Sequence, residues 1–290
     1  MSYEFFDEVD PQTFRQHLNR EAFCFHHRLV GNPLFEVERL SRLAELVSGN
    51  SNNFYHMSGQ VKLDGGWAGK PLPTSLSQCV RDIASSRTWI ILKHCEQDPE
   101  YRALMERCIR EFGDMTGWDL RRKTALWELQ VVLTSPRQLT PYHMDNECAF
   151  LFHLAGKKTL NVFDQKDRSI VTEEELENFW MHDASAAKIK PGSQASAKTY
   201  YLAPGQAVHF PINAPHCVEN GDDVSISVNI NTELVGRPWG SVFQANYYIR
   251  KLGLNPVPPG KSVVRDRFKH TVMVGAKSLR KPLVRLLGRE

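Results

Sequence analysis

Two periods divide the chain. Up to about Trp118 apolar residues recur mainly at helical spacing. After Asn32-Pro33, Leu34, Val37, Leu40, Leu43 and Val47 mark one face of LFEVERLSRLAELV, and Asp98–Met115 carries a second such pattern up to Gly117. Asp10-Pro11 and Asn32-Pro33 each offer an N-cap followed by proline, whose missing N–H costs nothing at the first helical position. Thr88–Leu92, TWIIL, is short, apolar and β-branched, as a buried strand is. From Thr124 the period falls towards two. ALWELQVVLT, LTPYH, AFLFHL, KTLNVFD, TYYLA, QAVHFP and VSISVNIN are short runs divided by Gly, Pro and Asn. A helix over Glu173–Trp180, capped by Thr172, interrupts them. Helical spacing returns over Trp239–Leu252, and NPVPPG then breaks regular structure.

The pattern predicts a mainly β core at residues 124–235, packed by a mainly helical scaffold at 1–123 and followed at 236–290 by a C-terminal helix and tail. Many short strands with turn signals suggest a sandwich or jelly roll, whose interior can hold a ligand. The small, polar stretch ASAAKIKPGSQASAK at 184–198 is expected to be a mobile loop.

Composition leaves this picture intact. A chain of 290 residues, 41% hydrophobic and 24% charged, suits one large globular domain or two small ones. No apolar run approaches the ~20 residues that span a bilayer. The start MSYEFFDEVD lacks the features of a signal peptide, so a cytoplasmic protein is expected. Six cysteines without a C-x-x-C pair indicate neither a zinc ribbon nor a disulfide scaffold, and Cys148 and Cys217 read as small buried hydrophobes.

Charge adds one feature. The net +3 hides a tail, residues 250–290, with 11 basic against 2 acidic groups. That tail reads as a solvated basic face, or as a weak contact with an anionic membrane surface where Leu279, Val284, Leu286 and Leu287 alternate with cations. Pro282 is expected to interrupt a continuous amphipathic helix, and no nucleic-acid-binding module accompanies the tail.

The candidate chemistry sits in LTPYHMDNECAFLFHLAGKKTLNVFD, 139–164, and PGQAVHFPINAPHCVEN, 204–220. His143 and Asp145 are two apart on an expected strand, so an imidazole and a carboxylate emerge on one face. His216, reached after the Pro204-Gly205 turn and a short strand, brings a second imidazole. Two nitrogens and one oxygen on one side of a metal, with the other positions open, suit non-haem Fe(II). Taken singly, each has an ordinary structural explanation: His143 ends a strand, Asp145 belongs to a turn, and His216 sits in a loop after Pro215. Of Lys157 and Lys158 only one can face inward, since side chains alternate. His153 and His209 read equally as supports of the site and as hydrogen-bonded core histidines. Trp127, Tyr200 and Tyr201 read as core aromatics, and Tyr142 is singled out for the pocket because it adjoins the metal motif.

These motifs resemble those of the JmjC and cupin-like 2-oxoglutarate and Fe(II)-dependent oxygenases, particularly the asparaginyl-hydroxylase-like branch. TPYHMD, with Lys158 fifteen positions after His143, matches the first motif, and Pro204, Gly205, Pro211 and His216 match the second. The resemblance covers residues 124–232. It implies a double-stranded β-helix with iron on His143, Asp145 and His216, and with Thr140 and Lys158 on the distal carboxylate of 2-oxoglutarate. Asn229 would lie near the cosubstrate's metal-binding end, although its spacing from His216 is shorter than in that branch and Ala149 replaces an asparagine there. A cation and a hydroxyl donor are what a buried dicarboxylate needs. The activity implied is hydroxylation of an unactivated C–H bond of a peptide or protein side chain or a small molecule, releasing succinate and CO2. A homodimer through the C-terminal helix is also implied. The contrasting expectation is a catalytically silent cupin-like metal-binding regulator.

Overall fold

The computed structural model describes residues 3–7, 10–59, 62–64, 71–234 and 239–286. The first part of the chain contributes strands β1 (Phe23–His26), β2 (Phe54–Ser58) and β3 (Thr88–Leu92). The period-two region supplies β4 (Thr124–Thr134), β5 (Leu139–His143), β6 (Cys148–Ala155), β7 (Lys158–Val162), β8 (Lys198–Leu202), β9 (Gln206–Phe210), β10 (His216–Asn220) and β11 (Ser225–Leu234). The larger sheet runs β1-β9-β6-β11-β4-β3-β2 and the smaller β5-β10-β7-β8. From β4 onward the chain wraps between the two sheets, four strands to each, and its neighbours pair antiparallel. This is a jelly roll, the double-stranded β-helix, with helices packed around it.

The helices are α1 (Pro11–His17), α2 (Val37–Ser48), α3 (Leu76–Arg81), α4 (Pro99–Thr116), α5 (Leu120–Lys123), α6 (Glu173–Trp180), α7 (Trp239–Lys251) and α8 (Val263–Leu286). Their ends follow local chemistry. Asp98 accepts from Glu100 N–H ahead of Pro99 to open α4, and Gly117, at φ 65, closes it. Thr172 and Glu175 form a reciprocal capping box on α6. Asn32-Pro33 opens only a 3₁₀ turn over Pro33–Phe35, and α2 begins at Val37.

Continuous apolar runs such as AFLFHL arise because the larger sheet is covered on both faces. On one face Phe150, Phe152 and Leu154 of β6 join Leu129, Val131 and Leu133 of β4 in a core with Leu40 and Leu43 of α2 and Phe112 of α4. On the other, Leu151 and Phe210 meet Leu160, Val162 and Leu202 of the smaller sheet. The interior between the sheets holds the candidate site.

Two expectations are revised. The 184–198 segment is anchored: Ala186 and Ala187 are buried, and Lys190 Nζ donates to Ile170 O at 2.7 Å and to Glu175 at 3.0 Å. Helix α8 also continues past Pro282 to Leu286, since one missing N–H removes a single ladder bond. Among the described residues no helix is long and apolar enough to cross a membrane.

The β6–β7 hairpin turns at Gly156 with φ +78, and a Cβ there would lie 2.5 Å from Val224 O. Both strain and space require glycine. Gly156→Ala is expected to cost about 1–3 kcal/mol, read as a lower denaturant midpoint at unchanged slope. An unchanged midpoint would contradict the close approach.

Candidate active site

His143 is the last residue of β5 and His216 the first of β10, and the two are register partners. Their rings therefore lie side by side, centroids 4.0 Å apart. Strand β5 stops at His143, so Asp145 reaches the site from the following turn rather than from two positions along a strand. Asn213 N–H, donating to Asp145 O at 2.9 Å, ties that turn to the loop before His216. Asn213 takes φ 62, which asparagine tolerates, and its Oδ1 accepts from Trp180 Nε1–H at 3.1 Å.

Each ring is oriented by a carbonyl two residues back. His143 Nδ1 lies 2.8 Å from Pro141 O and His216 Nδ1 3.0 Å from Ala214 O. A carbonyl only accepts, so both Nδ1 atoms carry the proton, which makes Nε2 the candidate ligand atom on each ring. Those Nε2 atoms lie 3.8 and 3.6 Å from the Asp145 carboxylate oxygens, and the three candidate ligand atoms are all within 4.8 Å of one another. With metal–ligand bonds of about 2.0–2.2 Å, ligands 3.6–3.8 Å apart can share one ion. Burial pushes both imidazoles down to about 4, with the neighbouring His143 adding to the effect at His216, so both are neutral at physiological pH. Burial also raises the Asp145 carboxyl. Two neutral nitrogens and a carboxylate fit a divalent cation.

The triad lies in a cavity of about 390 Å³ between the sheets, whose lining also includes Thr140, Lys158 and Asn229. The structure thus brings all six singled-out residues into one space. Lys158 faces inward, 5% exposed, while Lys157 is exposed. Lys158 Nζ donates to Ser227 Oγ at 2.7 Å, and burial lowers its ionisation to about 7. Among the described residues no carboxylate lies within ion-pair distance of it.

Other candidates lie elsewhere. Tyr142 points away from His143 and packs edge-on against Phe163 at 5.3 Å, so it is core and not cavity wall. Tyr200 packs between the sheets, Trp127 against the helical core, and Tyr201 is 78% exposed. Cys148 and Cys217 are buried free thiols. His209 is a core histidine: Asn19 N–H donates to its Nε2 at 2.9 Å and its Nδ1–H donates to Ala149 O at 2.9 Å. His27 similarly accepts from Leu29 N–H and donates to His153 O. Burial pushes His27 down to about 4 and His209 to about 3.

As pH falls below the ordinary histidine value of about 6.5, the unfolded chain takes up protons that these folded sites refuse, so stability is full above that value and falls towards pH 4. Each site should cost about 1.4 kcal/mol per pH unit in that window. The denaturant midpoint of the metal-free protein should drop between pH 7 and 5, and less steeply in His209→Phe; equal slopes would count against this origin.

Sequence reasoning missed Ser227 and the outer wall, to which Tyr55 of β2, Trp89 and Ile91 of β3, and the adjoining Lys93 contribute. Ser225, Ser227, Asn229 and Asn231 form a polar period-two row, so Ser227's face was legible; nothing in the sequence marked β2 as cavity wall.

The fold and site together are a jelly roll whose interior carries a metal-competent His-Asp-His triad. Among solved structures the chain is similar to YcfD of Escherichia coli, with a TM-score of 0.55 and 15% identity over 93% of this chain and 68% of that one. It is also similar to the E. coli ribosomal oxygenase YcfD in complex with cobalt and 2-oxoglutarate, at TM-score 0.53 and 16% identity over 93% and 67%. The form with cobalt and succinic acid gives 0.52 and 15% over the same shares. No family model and no curated protein sequence matches the chain. At these identities the likeness establishes the fold.

Proposed function

We propose that this protein is an Fe(II)- and 2-oxoglutarate-dependent oxygenase that hydroxylates an unactivated C–H bond of a peptide or protein side chain or a small molecule. The observation that carries this reading is one cavity holding a three-ligand metal triad together with a buried lysine that has no carboxylate partner among the described residues. A cation in an apolar interior is costly unless an anion joins it. A metal-binding regulator would leave that cost unexplained. The similarity to an oxygenase solved with cobalt and 2-oxoglutarate supports the same reading.

His143, Asp145 and His216 would hold the iron, with Pro141 and Ala214 fixing the ring angles. Lys158 and Thr140 would take the distal carboxylate, and Asn229 would lie beside the cosubstrate. Bound iron would supply oxygen activation coupled to 2-oxoglutarate decarboxylation. Leu151, Val218 and Phe210 keep the inner cavity apolar, and Trp89, Tyr55 and Ile91 give a substrate an aromatic and aliphatic surface to rest on.

Anaerobic titration of the metal-free protein with Fe(II) and then 2-oxoglutarate tests this. A weak visible charge-transfer band that saturates with 2-oxoglutarate is expected. Iron binding without that band at saturation would overturn the oxygenase reading and leave a metal-binding regulator.

A further inference from the structure

Behind Lys158 lies a polar chain. His153 on β6 is fully buried and is the register partner of Ser227 on β11. Its Nε2 lies 3.0 Å from the Gly156 carbonyl and its Nδ1 3.2 Å from Ser227 Oγ. The carbonyl only accepts, so Nε2 carries the proton and Nδ1 presents a lone pair. Ser227 must then donate its hydroxyl proton to Nδ1. That turns the serine oxygen's lone pairs towards Lys158 Nζ, 2.7 Å away. The chain therefore has one direction, from lysine to serine to histidine, and it closes from histidine onto the hairpin carbonyl.

Removing the imidazole would let the serine proton rotate towards the amine. With it in place, Ser227 can only accept from Lys158, which fixes one N–H and leaves the other two donors of an ammonium for a ligand in the cavity that Lys158 lines. Among the described residues no carboxylate pairs with Lys158, although Asp145 and Glu147 line the same cavity. On the elements packed around Lys158 the titratable groups are Cys148 and His153 on β6, Lys198, Tyr200 and Tyr201 on β8, Cys217 and Glu219 on β10, Glu233 on β11, the metal triad on and beside β5 and β10, and Lys157 on its own hairpin. Of these, Lys157, Lys198, Tyr201 and Glu219 are exposed, Glu233 is half-buried, Cys148 and Cys217 are buried thiols, and Tyr200 packs in the apolar layer. Burial holds the amine near 7 and the imidazole near 3, so His153 stays neutral wherever Lys158 titrates. An arriving carboxylate supplies the missing anion and favours the ammonium.

We propose that His153, acting through Ser227, is a positioning residue for the distal carboxylate of the cosubstrate, and that arrival of this carboxylate is accompanied by uptake of a solvent proton at Lys158 Nζ. An N–H bond forms on the amine, the proton comes from buffer, and no bond in the ligand breaks. The inference rests on the oxygenase reading and adds to it a pH dependence of cosubstrate affinity and two supporting residues.

Calorimetric titration of the Mn(II)-loaded protein with 2-oxoglutarate under argon, in buffers of different ionisation enthalpy, counts the protons taken up. For an amine near 7, uptake should rise from about 0.1 proton at pH 6 to about 0.5 at pH 7 and about 0.9 at pH 8. Lys158→Arg, which stays charged, should bind the dicarboxylate without this uptake. Ser227→Ala should weaken binding roughly tenfold and shift the uptake midpoint, with Mn(II) affinity unchanged. Ser227→Thr, which keeps the hydroxyl, should restore both. His153→Phe should behave like Ser227→Ala, and the two serine variants serve if it fails to fold. Binding with no proton uptake at pH 8, or Ser227→Ala with wild-type affinity and pH profile, would overturn the inference while sparing the oxygenase reading. No dicarboxylate binding at any pH would overturn both.

Discussion

His143→Ala is expected to abolish the charge-transfer band at every concentration of 2-oxoglutarate and to weaken Fe(II) binding by at least about 100-fold. The triad would supply three protein ligands, and Asp145 comes from a turn rather than a strand, so a site reduced to His216 and this carboxylate would lose its rigid half. The fold should survive the change. The side chain's bond from Nδ1 to Pro141 O is worth about 1 kcal/mol. A cooperative unfolding transition close to wild type, measured on the same sample, would show that the loss belongs to the metal. A variant that keeps the band would remove His143 from the ligand set.

Lys158→Ala should leave Fe(II) affinity intact and raise the 2-oxoglutarate concentration needed for half the band by about 100-fold or more, the cost of leaving a buried carboxylate without its cation. The two variants fail differently, one at the metal and the other at the cosubstrate. That difference is informative because both residues line one cavity. If Lys158→Ala binds 2-oxoglutarate as well as wild type does, the lysine is a structural group at the start of β7. The carboxylate clamp must then be sought at Gln130 and Asn229.

Much of this site could be seen in the chain beforehand, for a physical reason. Metal ligands are few and their spacing is tied to strand ends, so His143, Asp145 and His216 stood out, and strand alternation allowed only one of Lys157 and Lys158 inside. The same alternation should have warned against Tyr142, which neighbours His143 and must face the other way. Caps carried the helix limits at Thr172 and Gly117. Strands β1 and β2 were not visible. FCFH and FYHMS are four and five residues long and become strands by pairing with β9 and β3, a tertiary effect that local pattern does not encode. The Lys158–Ser227 contact was hidden for a related reason, since its partners lie on opposite sheets and 69 residues apart.

Strands β2 and β3 extend the larger sheet beyond β4, and so the outer wall of the cavity comes from a stretch that holds none of the triad. A fragment starting at Thr124 would keep every candidate ligand yet lose Tyr55, Trp89 and Ile91, and it would bare Leu129, Val131 and Leu133 of β4 to water. The candidate metal ligands and the outer wall of their cavity are thus written in separate parts of the gene. Changes in the first hundred codons can re-cut what the cavity admits without touching His143, Asp145 or His216.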